Sequence, residues 1–95
     1  MKRMYVYMMT NKNNNVLYTG VTNNLERRIK EHRSTDNMGF TGRYKCHKLV
    51  YFEIYDSPMK AINREKQIKA GSRKKKNELI EKENIEWKDL SADWD

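Results

Sequence analysis

Three consecutive segments decide the fold: Met4-Tyr-Val-Tyr-Met-Met-Thr10, Asn11-Lys-Asn-Asn-Asn15 and Val16-Leu-Tyr-Thr-Gly-Val-Thr22. The two outer segments are short and rich in β-branched and aromatic residues, a composition that is typical of strands. The middle segment is polar and rich in asparagine, whose side chain can accept hydrogen bonds from the neighbouring backbone in a turn. The three segments together predict an antiparallel hairpin.

The chain beyond the hairpin contains further helix and strand signals. Asn23 and Glu26 have the spacing of a capping box, which marks the start of a helix. Ser57 followed by Pro58 marks the start of another helix, and Gly71 marks its end. We therefore predict an α+β fold, a three-stranded antiparallel sheet flanked by helices in the order β-β-α-β-α-α. The expected segments are a helix over 23–33, a loop over 34–48, a strand over 49–55 and helices over 58–71 and 73–83.

Length and charge limit the possible organisation. A chain of 95 residues has room for one compact core, so we expect one domain over 1–83 and an acidic tail over 84–95 that packs on it. The formal net charge is +7, and five acids against one lysine over 83–95 leave +11 on residues 1–82. Such a body favours a polyanion as partner, because neutralising phosphates releases counterions. Solubility alone is the alternative explanation of the charge.

Several classes of protein are disfavoured by the sequence. No apolar run approaches the roughly 20 residues of a membrane span, and the first residues lack the apolar stretch of a signal peptide. Cys46 is the single cysteine, so it cannot form an intramolecular disulfide, and no Cys or His cluster has zinc-ligand spacing. We expect a cytoplasmic protein without membrane association or structural zinc.

The first predicted helix carries polar residues where a core-facing stripe is expected. Leu25, Arg28, Ile29 and His32 fall on one face of the helix. An arginine and a histidine that face the sheet cost desolvation free energy unless an anion or a hydrogen bond meets them. A bound phosphate would meet both side chains. In the alternative interpretation, Arg28 pairs with an internal carboxylate and His32 is a hydrogen-bonded core residue.

The second predicted helix has an acid in the corresponding place. Ala61, Glu65 and Ile68 share one stripe, and Glu65 is the only acid among these inward positions. An inward carboxylate can bind Mg²⁺ together with waters and substrate phosphate. The alternative is a buried ion pair with Arg28.

Five positions in a fixed order resemble the GIY-YIG endonuclease superfamily: Tyr5-Val-Tyr7, Tyr18-Thr-Gly20, Arg28, His32 and Glu65. The resemblance covers residues 4–82. Within the superfamily the chain resembles the short single-domain UPF0213-like group, which is related to the incision domain of bacterial excision-repair nucleases. The first motif has tyrosine and valine in place of glycine and isoleucine, and the second has threonine in place of isoleucine. These departures affect packing more than chemistry.

The resemblance implies a metal-dependent endonuclease whose active site lies on one face of the sheet, with DNA a more probable substrate than RNA. It implies that Glu65 binds Mg²⁺ or Mn²⁺ and that Arg28 binds the scissile phosphate. The general base is one of Tyr7, Tyr18 and His32. The candidate catalytic residues are Tyr7, Tyr18, Arg28, His32 and Glu65.

Basic and aromatic residues outside this set are candidates for nucleic-acid binding. Phe40 in the long loop is a further candidate for stacking on a base. One alternative function is a nucleic-acid-binding module that cleaves poorly, and another is an interaction protein in which Arg28 and Glu65 form an ion pair. The candidate nucleic-acid-binding residues are Arg27, Lys30, Arg43, Tyr44, Lys45, Arg73, Lys74, Lys75 and Lys76.

Overall fold

A three-stranded antiparallel sheet organises the molecule, with the strand order β2-β1-β3. The computed structural model of the chain describes residues 3–34 and 44–94. The predicted fold class and the order β-β-α-β-α-α are confirmed. No helix in these two ranges is both long enough and apolar enough to cross a membrane. The elements are β1 (Met4–Thr10), β2 (Leu17–Thr22), α1 (Leu25–Arg33), β3 (Lys48–Tyr55), α2 (Pro58–Ala70) and α3 (Arg73–Glu83).

The central strand β1 separates two small cores. Its residues 6–10 are all buried, and Tyr7 lies opposite Gly20 of β2 and Phe52 of β3. Successive side chains of a strand point to opposite faces of the sheet. Tyr7 and Met9 therefore lie on one face, and Val6 and Met8 lie on the other.

Each face of the sheet is covered by its own helices. On the α1 face, Leu25 and Ile29 of the helix pack against Tyr7, Met9 and Leu49. On the opposite face, which we call the two-helix face, α2 and α3 cover the sheet. The buried residues of that second core are Val6, Met8, Val50, Tyr51, Ala61, Ile68, Ile80 and Trp87.

The asparagine-rich turn between β1 and β2 is built by its own side chains. Asn11 Oδ1 accepts hydrogen bonds from the backbone N–H of Asn15 at 3.0 Å and of Val16 at 3.2 Å. Asn14 has a φ of 59°, in the left-handed region that asparagine tolerates better than most residues. The predicted hairpin is confirmed, and its turn is closed by these local bonds.

Each of the three helices in residues 3–34 and 44–94 begins at a residue whose side chain accepts a backbone hydrogen bond. Asn24 caps α1, and its Oδ1 accepts the N–H of Arg27 at 3.1 Å. The capping box predicted from Asn23 was therefore placed one residue too early. Ser57 caps α2 ahead of a proline at the first helical position, and Ser72 caps α3. Such caps satisfy backbone donors that have no partner within the helix.

The segment after α3 lies along the outer edge of β3. The pairing of β1 with β3 shifts register and skips Val50, whose carbonyl accepts a hydrogen bond from Asn84 Nδ2 at 3.0 Å. The N–H of Leu90 donates to the Leu49 carbonyl at 2.7 Å, and the Leu49 N–H donates to Asp89 Oδ1 at 3.1 Å. Unpaired backbone groups at a sheet edge otherwise invite pairing with other chains. The tail provides partners for these groups.

The same segment is also joined to α1. Arg33 Nη2 lies 2.9 Å from Asp89 Oδ2 and also donates to the side chain of Ser91, which is fully buried. Trp87 is buried in the core of the two-helix face, whereas Trp94 packs on the core of the α1 face. The tail therefore contacts both cores.

Replacing Asn84 with alanine tests this attachment. The side chain forms three hydrogen bonds, two donated to the carbonyls of Val50 and Lys88 and one accepted from the Lys88 N–H. The free energy of unfolding should fall by about 2 kcal/mol, because the buried Val50 carbonyl loses its donor. A thermal scan should show a melting temperature roughly 10 °C lower. Asn13→Ala, in the exposed turn, is the matched control, and equal melting temperatures for the two variants would contradict the assignment.

Candidate active site

A buried hydrogen bond lies at the centre of the α1 face. Tyr7 in the middle of β1 and His32 in the last turn of α1 are each only 1% exposed, and Tyr7 Oη lies 2.8 Å from His32 Nε2. The ring of Tyr18 lies close to both, with centroid distances of 6.2 Å to Tyr7 and 5.3 Å to His32. The structure thus brings three of the five predicted catalytic residues into one cluster.

Gly20 makes room for this cluster. A Cβ atom at position 20 would lie 2.6 Å from Tyr7 Oη and 2.7 Å from Tyr7 Cζ, well inside the contact distance of carbon atoms. The Tyr7 ring therefore lies across the backbone of β2, directly over its partner residue in the sheet. The glycine of the second motif therefore has a steric reason, because any side chain at position 20 would displace the Tyr7 ring.

Burial determines the protonation states of the pair. It raises the pKa of Tyr7 above its usual value, although the Arg28 guanidinium opposes the shift. Burial, the largest cause, and the positive charge of Arg28 together lower the pKa of His32 to about 4. At neutral pH Tyr7 is therefore protonated and His32 is uncharged. We infer that the Tyr7 hydroxyl donates to His32 Nε2, which leaves the imidazole proton on Nδ1.

Arg28 lies at the rim of the cluster. Leu25, Ile29 and His32 face the core as predicted, but the side chain of Arg28 is 42% exposed. Arg28 therefore lies on the predicted side of α1, close to Tyr7, but at the edge of the buried surface. The Nη1 atom donates to Glu31 Oε1 at 2.9 Å, and this bond, together with the nearby Tyr7, raises the pKa of Arg28. The guanidinium is charged and accessible to an anion from solvent.

Glu65 belongs to a different layer of the molecule. It lies on α2 between the buried Ala61 and Ile68, and its side chain is 14% exposed. Its Oε2 lies 3.0 Å from Lys69 Nζ. The predicted alternative of an ion pair between Arg28 and Glu65 is wrong, because each pairs with a neighbour on its own helix. The structure does not join Glu65 to Tyr7 or Arg28 by a hydrogen bond or ion pair, although α2 also packs against β2.

The donor set available to a metal ion is small. Within residues 3–34 and 44–94, no group of three or more His, Cys, Asp or Glu side chains is arranged to hold one. Mg²⁺ commonly binds through one or two carboxylates and keeps waters and substrate phosphate in its remaining positions. The carboxylate of Glu65, largely shielded and paired with a single lysine, fits this type of binding.

The predicted nucleic-acid-binding residues near α1 are accessible. Arg27 and Lys30 are exposed on that helix, where they form long ion pairs with Glu31 and Glu26. Tyr44 and Lys45 are exposed just before β3. Arg43 and Phe40 lie outside the described residues.

The basic run of α3 lies on the other side of the sheet. Arg73 donates to the carbonyls of Asn14 and Asn15 at 2.7 and 3.2 Å and lies 6.0 Å from the Trp87 ring, so it joins α3 to the hairpin. Lys74 is exposed, and Lys75 and Lys76 line a groove between α2 and α3. The predicted binding residues are thus divided between the two faces.

A basic cavity at the turn of the hairpin was not predicted from the sequence. It has a volume of about 430 Å³, and its lining includes Lys12, His47 and Lys48 as well as Lys45. His47 is near enough for its charge to lower the pKa of His32. No local pattern marks these residues, because the turn of the hairpin and the start of β3 meet only in the fold.

Comparison with known proteins identifies the family of the chain. Residues 3–88 match the family model of the GIY-YIG catalytic domain. The chain belongs to the GIY-YIG family. Membership places it in a nuclease superfamily, and the predicted relation to the UPF0213 group is also confirmed.

The relatives are similar along most of their length. A UPF0213 protein of Clostridium perfringens is 42% identical over 81 residues, which cover 85% of this chain and 86% of the relative. A UPF0213 protein of Haloquadratum walsbyi is 38% identical over 77 residues, covering 81% and 85%. The solution NMR structure of a UPF0213 protein from Bacillus halodurans superposes with a TM-score of 0.59 at 28% identity, covering 95% of this GIY-YIG chain and 96% of that one.

Gly20→Ala tests the close approach of Tyr7 to β2. The added methyl group overlaps the Tyr7 ring, so we expect a loss of about 1–3 kcal/mol in the free energy of unfolding. Urea unfolding measures this loss. Gly71→Ala is the control, because Gly71 has a φ of −77° and its Cβ would meet no atom nearer than 3.3 Å. A smaller loss at position 20 than at position 71 would contradict the assignment.

The buried His32 should make stability depend on pH. Between its ordinary pKa of 6.5 and its folded pKa of about 4, the imidazole is protonated in the unfolded chain and neutral in the folded one. Stability is therefore full above pH 6.5 and decreases as the pH falls toward 4, by about 2–3 kcal/mol from this group. Urea unfolding of the wild type and of His32→Gln across this range isolates the contribution. Equal losses in both chains would show that His32 titrates normally.

Proposed function

We propose that this GIY-YIG domain is a metal-dependent endonuclease that hydrolyses phosphodiester bonds, in DNA rather than RNA. Its catalytic residues are Tyr7, Tyr18, Arg28, His32 and Glu65. The observation that supports this most directly is the buried Tyr7 hydroxyl, which is hydrogen-bonded to His32 Nε2 beside the accessible guanidinium of Arg28. A proton acceptor and a phosphate-binding cation are therefore adjacent.

Arg28 binds the scissile phosphate. Its planar guanidinium can donate two parallel hydrogen bonds to non-bridging oxygens, a geometry that lysine does not reproduce. The bond to Glu31 is solvent-exposed and uses Nη1, and the guanidinium also interacts with the Tyr7 and Tyr18 hydroxyls, so a phosphate bound there would lie beside both tyrosines. Fixed positive charge at this place stabilises the negative charge that develops on the phosphoryl oxygens.

Tyr7 and His32 accept the proton of the attacking water. The raised pKa of Tyr7 makes free tyrosinate scarce at neutral pH, so the hydroxyl needs an acceptor for its own proton. As water transfers a proton to Tyr7 Oη, the Tyr7 proton moves to His32 Nε2 across the 2.8 Å bond. The hydroxide forms the new bond to phosphorus, and the departing oxygen takes a proton from solvent. The low pKa of His32 ensures that its extra proton is soon released.

Tyr18 orients the reactants. It lies on the same face of the hairpin as Tyr7, is only half-buried, and its ring is adjacent to both members of the proton path. A hydroxyl there is suited to hydrogen-bond the attacking water or a phosphate oxygen, which raises the rate by fixing their positions.

Glu65 is the residue that would hold a divalent ion, Mg²⁺ or Mn²⁺. Such an ion, when bound, would neutralise charge on the phosphate and on the leaving oxygen. The present partner of Glu65 is Lys69, whose side chain is half exposed and is free to turn toward solvent. The carboxylate can therefore exchange an ammonium partner for a metal without unpacking α2.

Basic residues on the surface around the cluster add to the affinity for nucleic acid. Lys12, Lys45 and Lys48 surround the basic cavity at the hairpin, and Arg27 and Lys30 are exposed on α1. Contacts of this type to phosphates bind without sequence preference and weaken as salt increases.

Cleavage by a Glu65→Gln variant is the direct test. Labelled single-stranded, duplex and branched DNA and RNA are incubated with Mg²⁺, Mn²⁺ or EDTA after folding is verified by circular dichroism. Loss of the carboxylate should reduce metal-dependent cleavage at least about a hundredfold, the effect of several kcal/mol of transition-state stabilisation. Glu86→Gln removes an equal charge from an exposed ion pair with Lys88 and should retain activity.

Two other results would contradict parts of this proposal. Cleavage that persists in Glu65→Gln would exclude Glu65 as the essential ligand. If the wild type binds nucleic acid in a salt-dependent manner and cuts none of the substrates, the chain is a binding module and the proposed reaction is wrong.

A further inference from the structure

A second cavity on the α1 face lies beside the proposed catalytic cluster. Its volume is about 370 Å³, within the range of roughly 300–1,000 Å³ that is usual for small-molecule sites. Aromatic rings of Tyr5, Phe52 and Trp94 line it, together with the side chain of Ile54, which is 52% exposed. The proposed catalytic mechanism uses none of these side chains.

The register of the sheet places this cavity next to the cluster. Tyr5 and Tyr7 lie on the same face of β1, two residues or about 7 Å apart along the strand. Phe52 lies opposite Tyr7 in β3, and Ile54 lies opposite Tyr5. The cavity residue Tyr5 therefore lies about 7 Å from Tyr7 along β1, which is about the length of one nucleotide step.

The aromatic walls are held in place by the protein itself. Tyr5, Phe52 and Trp94 are partly buried and pack on the core of the α1 face. The backbone N–H of Trp94 donates to the Ser91 carbonyl at 3.0 Å. Ser91 is itself buried and hydrogen-bonded to Arg33. Little side-chain entropy is then lost when a ligand enters, which favours binding.

The chemistry of the lining indicates a flat, uncharged ligand. Among the described residues that line the cavity there is no lysine or arginine, and Glu26 at the start of α1 would repel a phosphate. Asn23 and Tyr5 also line the cavity, and their side-chain amide and hydroxyl groups can donate and accept hydrogen bonds. Arg28, in contrast, carries its positive charge on the same helix but does not line the cavity. Aromatic side chains with a few polar groups are how proteins commonly hold unstacked nucleobases.

We propose that this cavity, which we call the base pocket, holds one unpaired nucleobase of the substrate next to the phosphodiester that is cut. The inference rests on the proposed function and adds a substrate class to it. Single strands and unpaired or splayed ends should be preferred, because a base in a closed duplex must first leave its stack, at a cost in free energy.

NMR of the two tryptophan indole N–H signals tests the pocket without any cleavage. The chain contains two tryptophans, and a Trp94→Phe variant assigns the signals. The protein, in EDTA, is titrated with a short oligothymidylate or with a sugar-phosphate oligomer of equal length that lacks bases. The oligothymidylate should shift the Trp94 signal saturably and leave the buried Trp87 signal in place. The baseless oligomer should not shift the Trp94 signal.

Affinity provides a second measurement. Trp94→Ala should weaken oligothymidylate binding at least about fivefold, the usual effect of losing one stacked base, and leave binding of the baseless oligomer unchanged. Ile85→Ala removes another exposed apolar side chain of the tail and is the control. If Trp94→Ala does not fold, the indole shifts of the wild type still decide the question.

Two results would overturn the base pocket. One is a Trp94 signal that both oligomers move equally or that neither moves. The other is a Trp94 signal that shifts with protein concentration alone, which would mean that a second copy covers the cavity. Failure of the proposed function is recognised separately, because a chain that never cleaves DNA can still show the base-dependent shift.

Discussion

The close approach of the Tyr7 ring to Gly20 is the constraint on which the rest of the α1 face depends. A tyrosine in the middle of a central strand can reach over its neighbour only if that neighbour has no side chain. The ring then brings its hydroxyl within hydrogen-bonding distance of His32. The last turn of α1, which carries His32, must therefore lie over the Tyr7 hydroxyl. The burial that results keeps Tyr7 protonated and His32 neutral, so geometry and protonation state have one origin.

The segment after α3 helps to hold the α1 face together. A sheet of three strands has two edges, and β3 forms one of them with a register shift at Val50. Asn84, Asp89 and Leu90 satisfy the backbone there, and Arg33 connects the same segment to the end of α1. The position of α1 over the sheet, and hence that of His32, is therefore supported by residues far away in sequence, among them Asp89.

Most of the positive charge lies apart from the proposed catalytic cluster. The positive charge of the body is spread over both faces, whereas the buried cluster consists of the uncharged Tyr7, Tyr18 and His32 side chains with the guanidinium of Arg28 at its rim. A cation inside the buried cluster would lower the pKa of Tyr7 and repel a protonated His32. Placing the lysines at the hairpin cavity and on α1 avoids this and still attracts a polyanion.

The sequence by itself determined the elements and the identity of the central side chains. Strand composition, the asparagine turn and the caps are local signals, and the ordered tyrosines, arginine, histidine and glutamate predicted the family. Only the tertiary structure decided that Arg28 stands at the rim, that Glu65 pairs with Lys69 and that Arg73 joins α3 to the hairpin. It alone assembled the basic cavity and the base pocket. The physical reason is that helical periodicity gives the direction of a side chain but not what lies opposite, since partners distant in sequence meet only when the sheet and helices pack.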